Sequence, residues 1–360
     1  EGLDGAIEAL REGKIQGLQF IPFHLREKVK RKHSVLRTLQ LPQYSALFFN
    51  QDHSEILKDK DLRKALLQGL DKDRILSETL ANEGSIMNGP LLPGNPGYDQ
   101  EFMSYAYSVS EANALLDKKW KQVEAGVYRE ELKQEILQQK KAEMASSTDS
   151  GEDEPALSER LNQETEQALK ERLNEAQLFY RKNEKGDILK LEIVTADTPE
   201  YRKAVQVIAG FWQELGLATE IRSVAVKDMN REVLRSRNYD VLLYGVIVGN
   251  DPDQYPFWHS SQINYPGLNL SRYLNRNVDG IIEKARETTD QTELESLYKK
   301  FQETVVEDIP AIFLYTPTYT YVLNDKVQGF DTERIAHPSD RFAGVSDWYI
   351  KTKHTWNFKR

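Results

Sequence analysis

The segment 240–248 constrains the fold more than any other feature of this sequence. It carries apolar side chains at odd and even positions alike, in the order Asp-Val-Leu-Leu-Tyr-Gly-Val-Ile-Val. Successive side chains of a β-strand point to opposite faces of the sheet, so a strand of this kind must be covered on both faces. The segment therefore predicts a central strand in a sheet that has helices on both sides, which is the arrangement of an α/β protein.

The rest of the chain alternates between helix and strand patterns, as an α/β protein requires. Residues 189–195 predict a strand, and Thr198 predicts the N-cap of a helix that opens with Pro199 and ends before Gly216. A chain of 360 residues exceeds the size of one small core, so we expect two lobes. The other predicted strands are 18–22, 44–50, 219–224 and 311–316, and the other predicted helices are 2–13, 61–80, 110–120 with Ser110 as N-cap, 227–235, 278–286 and 292–307.

Residues 121–184 differ in composition from the rest of the chain. Glu, Gln, Lys and Ala dominate there, and aromatic residues nearly vanish. Two helical arms, 130–145 and 156–180, are predicted on either side of an acidic linker of small residues at 146–154, so the segment predicts a projecting helical hairpin. One interpretation is a solvated insertion; the alternative is an arm that docks a protein partner or another copy of the chain.

The residue types that enzymes and metal sites depend on are absent or badly spaced. The chain has no cysteine, which excludes disulfides, thiolate nucleophiles and Cys-ligated metal centres. Its six histidines show no pair at the three- or four-residue spacing of a helical metal site. The sequence also lacks a phosphate-binding loop and a Gly-x-Ser-x-Gly elbow. We therefore predict no catalytic residue, no metal site and no cofactor.

Charge and hydropathy limit the partners that this chain can have. A net charge of −9 argues against a nucleic-acid surface, which needs clustered Lys and Arg, and the basic stretch 26–32 is interpreted as a solvated helix face. No run of apolar residues is long enough to span a bilayer. Because Glu1 does not begin a signal peptide, we expect any export signal or lipid anchor to lie upstream.

The predicted central strand ends in a polar turn that reads Gly249-Asn-Asp-Pro-Asp253. Ligands of open α/β sheets bind near the carboxyl ends of the strands, so this turn is a candidate ligand-binding edge. Asp251 and Asp253 have the residue types of an acid/base or calcium pair, but two acids around a proline are more typical of a turn.

An ordered series of segments resembles the extracellular solute-binding proteins of family 5, the peptide-, dipeptide- and nickel-binding class of ABC importers. Residues 44–50 are similar to the family's aromatic strand that ends in Phe-Asn. Residues 61–75 resemble its helix with an Asp-Arg-x-x-Ile ending. The remaining matches are 6–13, 89–94, 111–116, 239–245, 251–258, Asn269, Tyr273, Asp279, 292–307 and 308–315.

This resemblance implies a periplasmic-binding-protein type II fold, in which two α/β lobes close on a solute by a hinge motion. It implies binding of an oligopeptide or similar small solute outside the cytoplasm, in the periplasm or at the cell surface, and delivery to an ABC permease in the membrane. The role implied is that of a carrier rather than an enzyme. By the same resemblance, residues 1–40 are a remnant of lobe one and the hinge, 41–316 form lobe two with the insertion 121–184, and 317–360 return to lobe one. The family's N-terminal part would precede Glu1.

The resemblance also implies where the ligand lies. The predicted ligand-binding residues are Tyr244, Gly245, Val246, Ile247, Val248, Asn250, Asp251, Asp253 and Asn269. In oligopeptide-binding members an aspartate directly after the Tyr-Gly strand pairs with the amino terminus of the peptide. Here residues 246–249 are Val-Ile-Val-Gly and the first acid is Asp251. Two kinds of binding are consistent with this departure. Main-chain groups could bind the peptide together with Asp251 or Asp253 in a shifted position, or the ligand could carry no cation. Residues 246–248 are equally consistent with a strand that only packs in the core.

Two functions are therefore compared below. The first is solute binding linked to uptake. The alternative is a non-transport interaction or signalling protein that keeps the fold and uses 121–184 as its docking arm.

Overall fold

The computed structural model describes residues 2–19, 21, 25–30, 33–99, 105–146, 154–174, 176–249, 251–332, 335 and 337–350. Within them the α-helices are α1 (Leu3–Arg11), α2 (Arg26–Val29), α3 (Lys60–Gln68), α4 (Lys72–Leu80), α5 (Val109–Leu116), α6 (Ala125–Ser146), α7 (Glu154–Arg172), α8 (Pro199–Glu214), α9 (Tyr255–Trp258), α10 (Arg276–Glu287) and α11 (Gln291–Asp308). The strands are β1 (Gly17–Gln19), β2 (Ser34–Gln40), β3 (Gln43–Phe49), β4 (Gly84–Ile86), β5 (Lys121–Glu124), β6 (Phe179–Lys182), β7 (Lys190–Ala196), β8 (Ala218–Val224), β9 (Val241–Ile247), β10 (Ala311–Asn324), β11 (Val327–Gln328) and β12 (Tyr349–Ile350).

Strand β9 lies in the middle of the main sheet, as its sequence predicted. The order of the described strands is β1-β10-β3-β9-β7-β8, and β2 and β4 also pair with β10. Strand β9 runs antiparallel to β3 and parallel to β7. Helices cover both faces: α3, α4, α5 and α8 form one core with the sheet, and α10 and α11 form the other. We refer to these as the α8 face and the α11 face.

Strand β10 changes partners along its length. Residues 311–317 pair with β3 and β4, and residues 318–324 pair with β1 and β2. The predicted end at residue 316 was therefore wrong, because the strand continues past Pro317, which has no N–H for a ladder and lies where the partners change. Two small apolar clusters, separate from the two main cores, pack around the second half. The division at 41–316 stays a prediction.

Several helix boundaries differ from the predictions. The predicted helix 110–120 is α5, and its cap is Ser108, whose side chain accepts from the N–H of Glu111. The predicted helix 227–235 forms only one π-helical turn, 230–234, before Arg237 adopts a φ of 56°. The predicted strand 18–22 is β1, with residues 20 and 22 outside the described residues.

The predicted helix 61–80 is two helices, α3 and α4, with a break between them. A Cβ on Gly69 would lie 2.4 Å from the side chain of Leu215, so the end of α8 packs directly against this glycine. The side chain of Asp71 then caps α4 by accepting from the N–H of Arg74 at 3.0 Å. Apolar periodicity continues through the break, which is why the pattern predicted one helix.

This cap leads to the first testable prediction. Replacing Asp71 by alanine is expected to lower the free energy of unfolding by about 1 kcal/mol, because it removes the acceptor for an N–H group at the start of α4. Urea unfolding followed by circular dichroism measures this difference. If Asp71→Ala and Asp71→Asn were equally destabilising, the cap would not be the cause, because asparagine also caps helices.

The insertion forms a helical hairpin with a stranded base. The predicted arm 156–180 is wrong at its end: α7 stops at Arg172, and the chain returns in β6, which pairs with β5. Helices α6 and α7 share a small core of Leu132, Ile136 and Leu169. Among the described helices, none combines the length and apolar character needed to cross a membrane.

Arg181 ties the base of the hairpin to the main body. Its side chain is fully buried, and its guanidinium donates to the carbonyl oxygens of Leu215 and Trp120 at 2.6 and 2.8 Å. It also donates to the side chains of Asp117 and Asn113, each at 2.7 Å. Four acceptors from two segments, residues 113–120 and the end of α8, therefore converge on one side chain of β6, so this strand belongs to the core rather than to a solvated insertion.

Candidate functional site

The carboxyl end of β9 presents different side chains to its two faces. Val246 and Val248 are 7% and 8% exposed and pack in the core of the α11 face, where the half-buried Tyr244 also packs. Ile247 is 63% exposed, and Gly245 is partly exposed beside it on the α8 face. The predicted stretch 246–248 is therefore strand core at its two valines, and Gly245 and Ile247 form the open edge.

The two acids after the strand form successive turns. Asp251 Oδ1 accepts from the N–H of Asp253, and Asp253 Oδ1 accepts from the N–H of Tyr255, both at 3.0 Å. The other oxygen of Asp253 lies 3.5 Å from Nε of Arg286 on α10. Both acids also contribute to the raised pKa of Tyr298 in α11, so they lie on the side of the α11 face. Asn250 lies outside the described residues.

Asn269 has a role inside the protein. It is fully buried, and its Nδ2 donates to the carbonyl oxygens of Trp258, His259 and Tyr273 at 3.3, 3.3 and 2.9 Å. Its Oδ1 accepts from the N–H of Tyr273 at 3.0 Å. Because these contacts occupy its amide, the structure assigns Asn269 to holding the 258–273 segment together, and we leave it out of the proposed ligand site.

A group of hydroxyls lies beside Gly245 on the α8 face. A Cβ on Gly245 would be 2.4 Å from the hydroxyl oxygen of Tyr201 and 3.9 Å from that of Ser45. The hydroxyl of Ser45 lies near those of Tyr201 and Tyr315, and the buried hydroxyl of Tyr315 has no hydrogen-bond partner among the described residues. We call Ser45, Tyr201 and Tyr315 the hydroxyl cluster; it joins β3, α8 and β10 at the end of β9.

Burial keeps the hydroxyl cluster uncharged. Desolvation raises the pKa of Tyr201 to about 12 and also raises the pKa of Tyr315. Both phenols therefore stay protonated at neutral pH. A neutral hydroxyl both donates and accepts, so the cluster suits N–H and C=O groups of a ligand equally.

An irregularity of β10 places Tyr315 in this cluster. The pairing of β10 with β3 shifts register between Phe313 and Tyr315. As a result the consecutive residues Leu314 and Tyr315 both pack in the core of the α8 face, although neighbours in a regular strand point to opposite faces. Tyr315 is paired with Ser45, so this β-bulge aims its side chain at the cluster.

Three charged side chains border the cluster. Arg26 of α2 is buried and forms an ion pair with Glu83, which lies between α4 and β4. Burial raises the pKa of Glu200, and the nearby guanidinium of Arg26 opposes that rise. Glu200 is exposed to solvent, and its charge lies close enough to Tyr201 and Tyr315 to contribute to the raised pKa of both phenols. Two carboxylates around one guanidinium leave this part of the surface with excess negative charge.

The end of β9 is also attached to the connection between β2 and β3. The N–H groups of Val248 and Gly249 both point to the carbonyl oxygen of Pro42, at 2.8 and 3.2 Å. The site therefore lies next to the point where the chain crosses from β2 to β3. A displacement of Pro42 would therefore also move Val248 and Gly249 at the end of β9.

Sequence reasoning found the strand end and missed the residues that surround it. Ser45 gave a weak signal as a polar residue within the apolar strand 44–49. Tyr201, Tyr315 and Arg26 gave none, because they are distant in sequence and their convergence depends on the bulge and on the packing of α2 and α8.

Comparison with known proteins assigns the sequence to a family. The sequence profile of the bacterial extracellular solute-binding proteins, family 5, middle region, matches residues 4–265. The oligopeptide-binding protein AppA of Bacillus subtilis is 23% identical over 305 residues, covering 83% of this chain and 45% of AppA. The probable D,D-dipeptide-binding periplasmic protein DdpA of Escherichia coli is 23% identical over 326 residues, covering 89% of this chain and 50% of DdpA.

Solved structures share the fold. CtaP of Listeria monocytogenes, a substrate-binding protein of an ABC transporter, matches with a TM-score of 0.71 at 19% identity over 97% of this chain and 58% of its own. NikZ of Campylobacter jejuni, solved with Ni(L-His), matches with a TM-score of 0.67 at 21% identity over 96% of this chain and 59% of its own. The chain spans about half the length of the curated relatives that it matches. Since the family profile covers most of the sequence, the chain belongs to the bacterial extracellular solute-binding proteins of family 5.

Proposed function

We propose that this chain is part of the solute-binding component of an ABC importer, which binds a short peptide or similar small solute outside the cytoplasm and delivers it to a membrane permease. The observation that carries the proposal is the open end of β9, where Gly245 lies beside the hydroxyl cluster. A peptide offers N–H and C=O groups that neutral hydroxyls and strand-end main chain bind with little preference for side chains. The relatives named for oligopeptide and dipeptide binding support the same solute class.

We further propose that the protein acts in the periplasm or at the cell surface, anchored through an upstream segment, and that it is no enzyme. The lobes are proposed to divide at 1–40, 41–316 and 317–360. The change of strand partners at Pro317 and the separate apolar clusters around β1 and β2 support this division. The ligand would then lie between the lobes, close to the crossing at Pro42.

The solute class is tested by native mass spectrometry of the full-length protein, purified without refolding. Peptide masses that are released on denaturation are the expected result. A full-length protein that carries no peptide, and binds no component of a mixed peptide pool added afterwards, would contradict the proposal.

The charge at the site leads to a sharper prediction. We propose that Glu200 pairs with the amino terminus of a peptide, in place of an acid at the end of β9. Glu200→Gln is expected to weaken the binding of trialanine at least tenfold, because a charge-assisted hydrogen bond is lost. N-acetyl-trialanine should bind equally to both proteins. Isothermal titration calorimetry measures both affinities.

A matched control for this prediction lies at the other end of the same helix. Glu214 is an exposed glutamate at the last position of α8, whereas Glu200 is at the second position of the same helix. Glu214→Gln should bind trialanine like the wild type. Equal affinities of Glu200→Gln and wild type for trialanine would remove Glu200 from the site and leave the broader proposal standing on the hydroxyl cluster.

The second candidate is a docking function of the hairpin. Its helices close their own core, since Leu169 is fully buried and Leu132 and Ile136 nearly so. Residues 121–184 contain 15 acidic and 10 basic residues, so the hairpin has a net negative charge. Packing of its apolar core does not require this excess of acidic residues. This favours a protein partner with a basic surface. Deleting 126–173 while keeping β5 and β6 tests the idea, because a docking arm predicts loss of the partner with peptide binding unchanged, and a solvated insertion predicts no loss.

A further inference from the structure

A second cavity lies at the edge of the sheet formed by β4, apart from the end of β9. Its volume is about 610 Å³, within the range of small-molecule sites. It shares no lining residue with the hydroxyl cluster. Its lining consists of Leu70, Asp71, Lys72, Asp73, Ser85, Ile86, Met87, Asn88, Gly89, Leu91, Pro93, Tyr98, Asp99, Tyr105, Tyr107 and Gln302.

Lys72, at the first position of α4, supplies a partly buried cation to this cavity. Its Nζ donates to the carbonyl oxygen of Met87 and to the side chain of Asn88, each at 3.0 Å. In the described part of the chain, no carboxylate lies within ion-pair distance of it. Burial lowers the pKa of Lys72 to about 8. An ammonium has three N–H donors, so one donor and the charge itself are left for a ligand.

Gln302 supplies a second set of donors from the opposite side. This residue of α11 is 2% exposed, and its Nε2 has no hydrogen-bond partner among the described residues. The chain that follows β4 passes close to Gln302 at Gly89, where a Cβ would lie 3.1 Å from Oε1 of Gln302. A buried amide without a partner costs free energy, and a ligand with an acceptor oxygen would remove that cost.

The rim of the cavity carries the opposite charge. Asp71 caps α4 and Asp99 lies 3.6 Å from Lys299, so both carboxylates have protein partners, whereas Asp73 is exposed. The other lining side chains are largely apolar or aromatic, among them Leu91 and Tyr105. A ligand that fits this arrangement is negative at its inner end, apolar along its body and positive at its outer end.

We propose that this cavity binds a small zwitterion of the amino-acid type, with its carboxylate at Lys72 and Gln302 and its ammonium at the acidic rim. The carboxylate gives Lys72 a charged partner and gives Gln302 the acceptor that it lacks. The ammonium is attracted by Asp73 and Asp71 and, more weakly, by Asp99, whose charge Lys299 partly neutralises. This site is separate from the one proposed for peptides at Gly245.

Three probes of similar shape test the proposal on the full-length protein by isothermal titration calorimetry. They are L-phenylalanine, 3-phenylpropionate, which lacks the ammonium, and 2-phenylethylamine, which lacks the carboxylate. L-phenylalanine is expected to bind at least tenfold more tightly than either of the others. Failure of L-phenylalanine to bind, or equal binding of all three probes, overturns the proposal.

Variants assign the binding to this cavity. Lys72→Met and Gln302→Leu are each expected to weaken L-phenylalanine binding at least tenfold. Gln302→Leu keeps the test valid if loss of the Lys72 contacts to the 87–88 loop impairs folding. Two control variants should bind L-phenylalanine like the wild type. Lys300→Met changes an exposed residue of α11, the helix that carries Gln302, and Gly245→Val changes the proposed peptide site. Wild-type affinity in Gln302→Leu, or loss only in Gly245→Val, overturns the proposal.

Discussion

Replacing Arg181 by methionine is expected to lower the free energy of unfolding by about 3–5 kcal/mol. The side chain is fully buried, and its removal leaves two carbonyl oxygens and the side chains of Asp117 and Asn113 without their donor. Methionine fills much of the same volume, so the loss reflects the unpaired polar groups rather than a cavity. Urea unfolding followed by tryptophan fluorescence and circular dichroism measures the change.

The control for this prediction is an arginine on the surface. Arg202 pairs with Asp197, and both side chains are about half exposed. Arg202→Met should change the free energy of unfolding by less than about 1 kcal/mol, since exposed ion pairs contribute little. Equal losses in the two variants would show that Arg181 does not tie β6 to the core.

Replacing Gly245 by valine is expected to weaken peptide binding at least tenfold, or about 1.4 kcal/mol, with the fold retained. The new Cβ would lie 2.4 Å from the hydroxyl of Tyr201, which is the movable end of a side chain and not part of the backbone. The phenol must therefore turn away, and the valine occupies the open edge of β9. A β-branched residue suits a strand, so stability should change little.

Trialanine titration of the variant and the wild type measures this loss. Ser223→Val is a matched control, because it adds the same side chain at an exposed position of β8. It should bind trialanine normally. If Gly245→Val also bound normally, the open end of β9 would not be the peptide site, although membership of the family would be unaffected.

Local patterns predicted the elements whose stabilising contacts lie close in sequence. Helix α8 begins where Thr198 accepts from the N–H of Tyr201 and ends before Gly216, whose φ is 89°. Both signals operate within a few residues, so they can be found without knowledge of the fold. The break between α3 and α4 could not be found in this way, because Gly69 is required by the side chain of Leu215, far along the chain.

The candidate site also combines features that were predicted with features that were not. The end of β9 was predicted, because a strand with apolar residues on both faces lies in the middle of a sheet and ligands bind near strand ends. The difference between its two faces was not predicted: Val246 and Val248 point into one core, and Ile247 is exposed on the other face. Asn269 has the composition of a ligand residue, yet its amide is used by the backbone of the 258–273 segment.

The α/β class, the central strand, the helical hairpin and the resemblance to family 5 can be derived without the fold, because periodicity, caps and ordered motifs are properties of short segments. The folded chain alone shows that Ser45, Tyr201 and Tyr315 meet at Gly245, and that Lys72 and Gln302 face one cavity. These contacts depend on a β-bulge and on close approaches at glycines. Each joins residues that are distant along the chain, and no local pattern records such a contact.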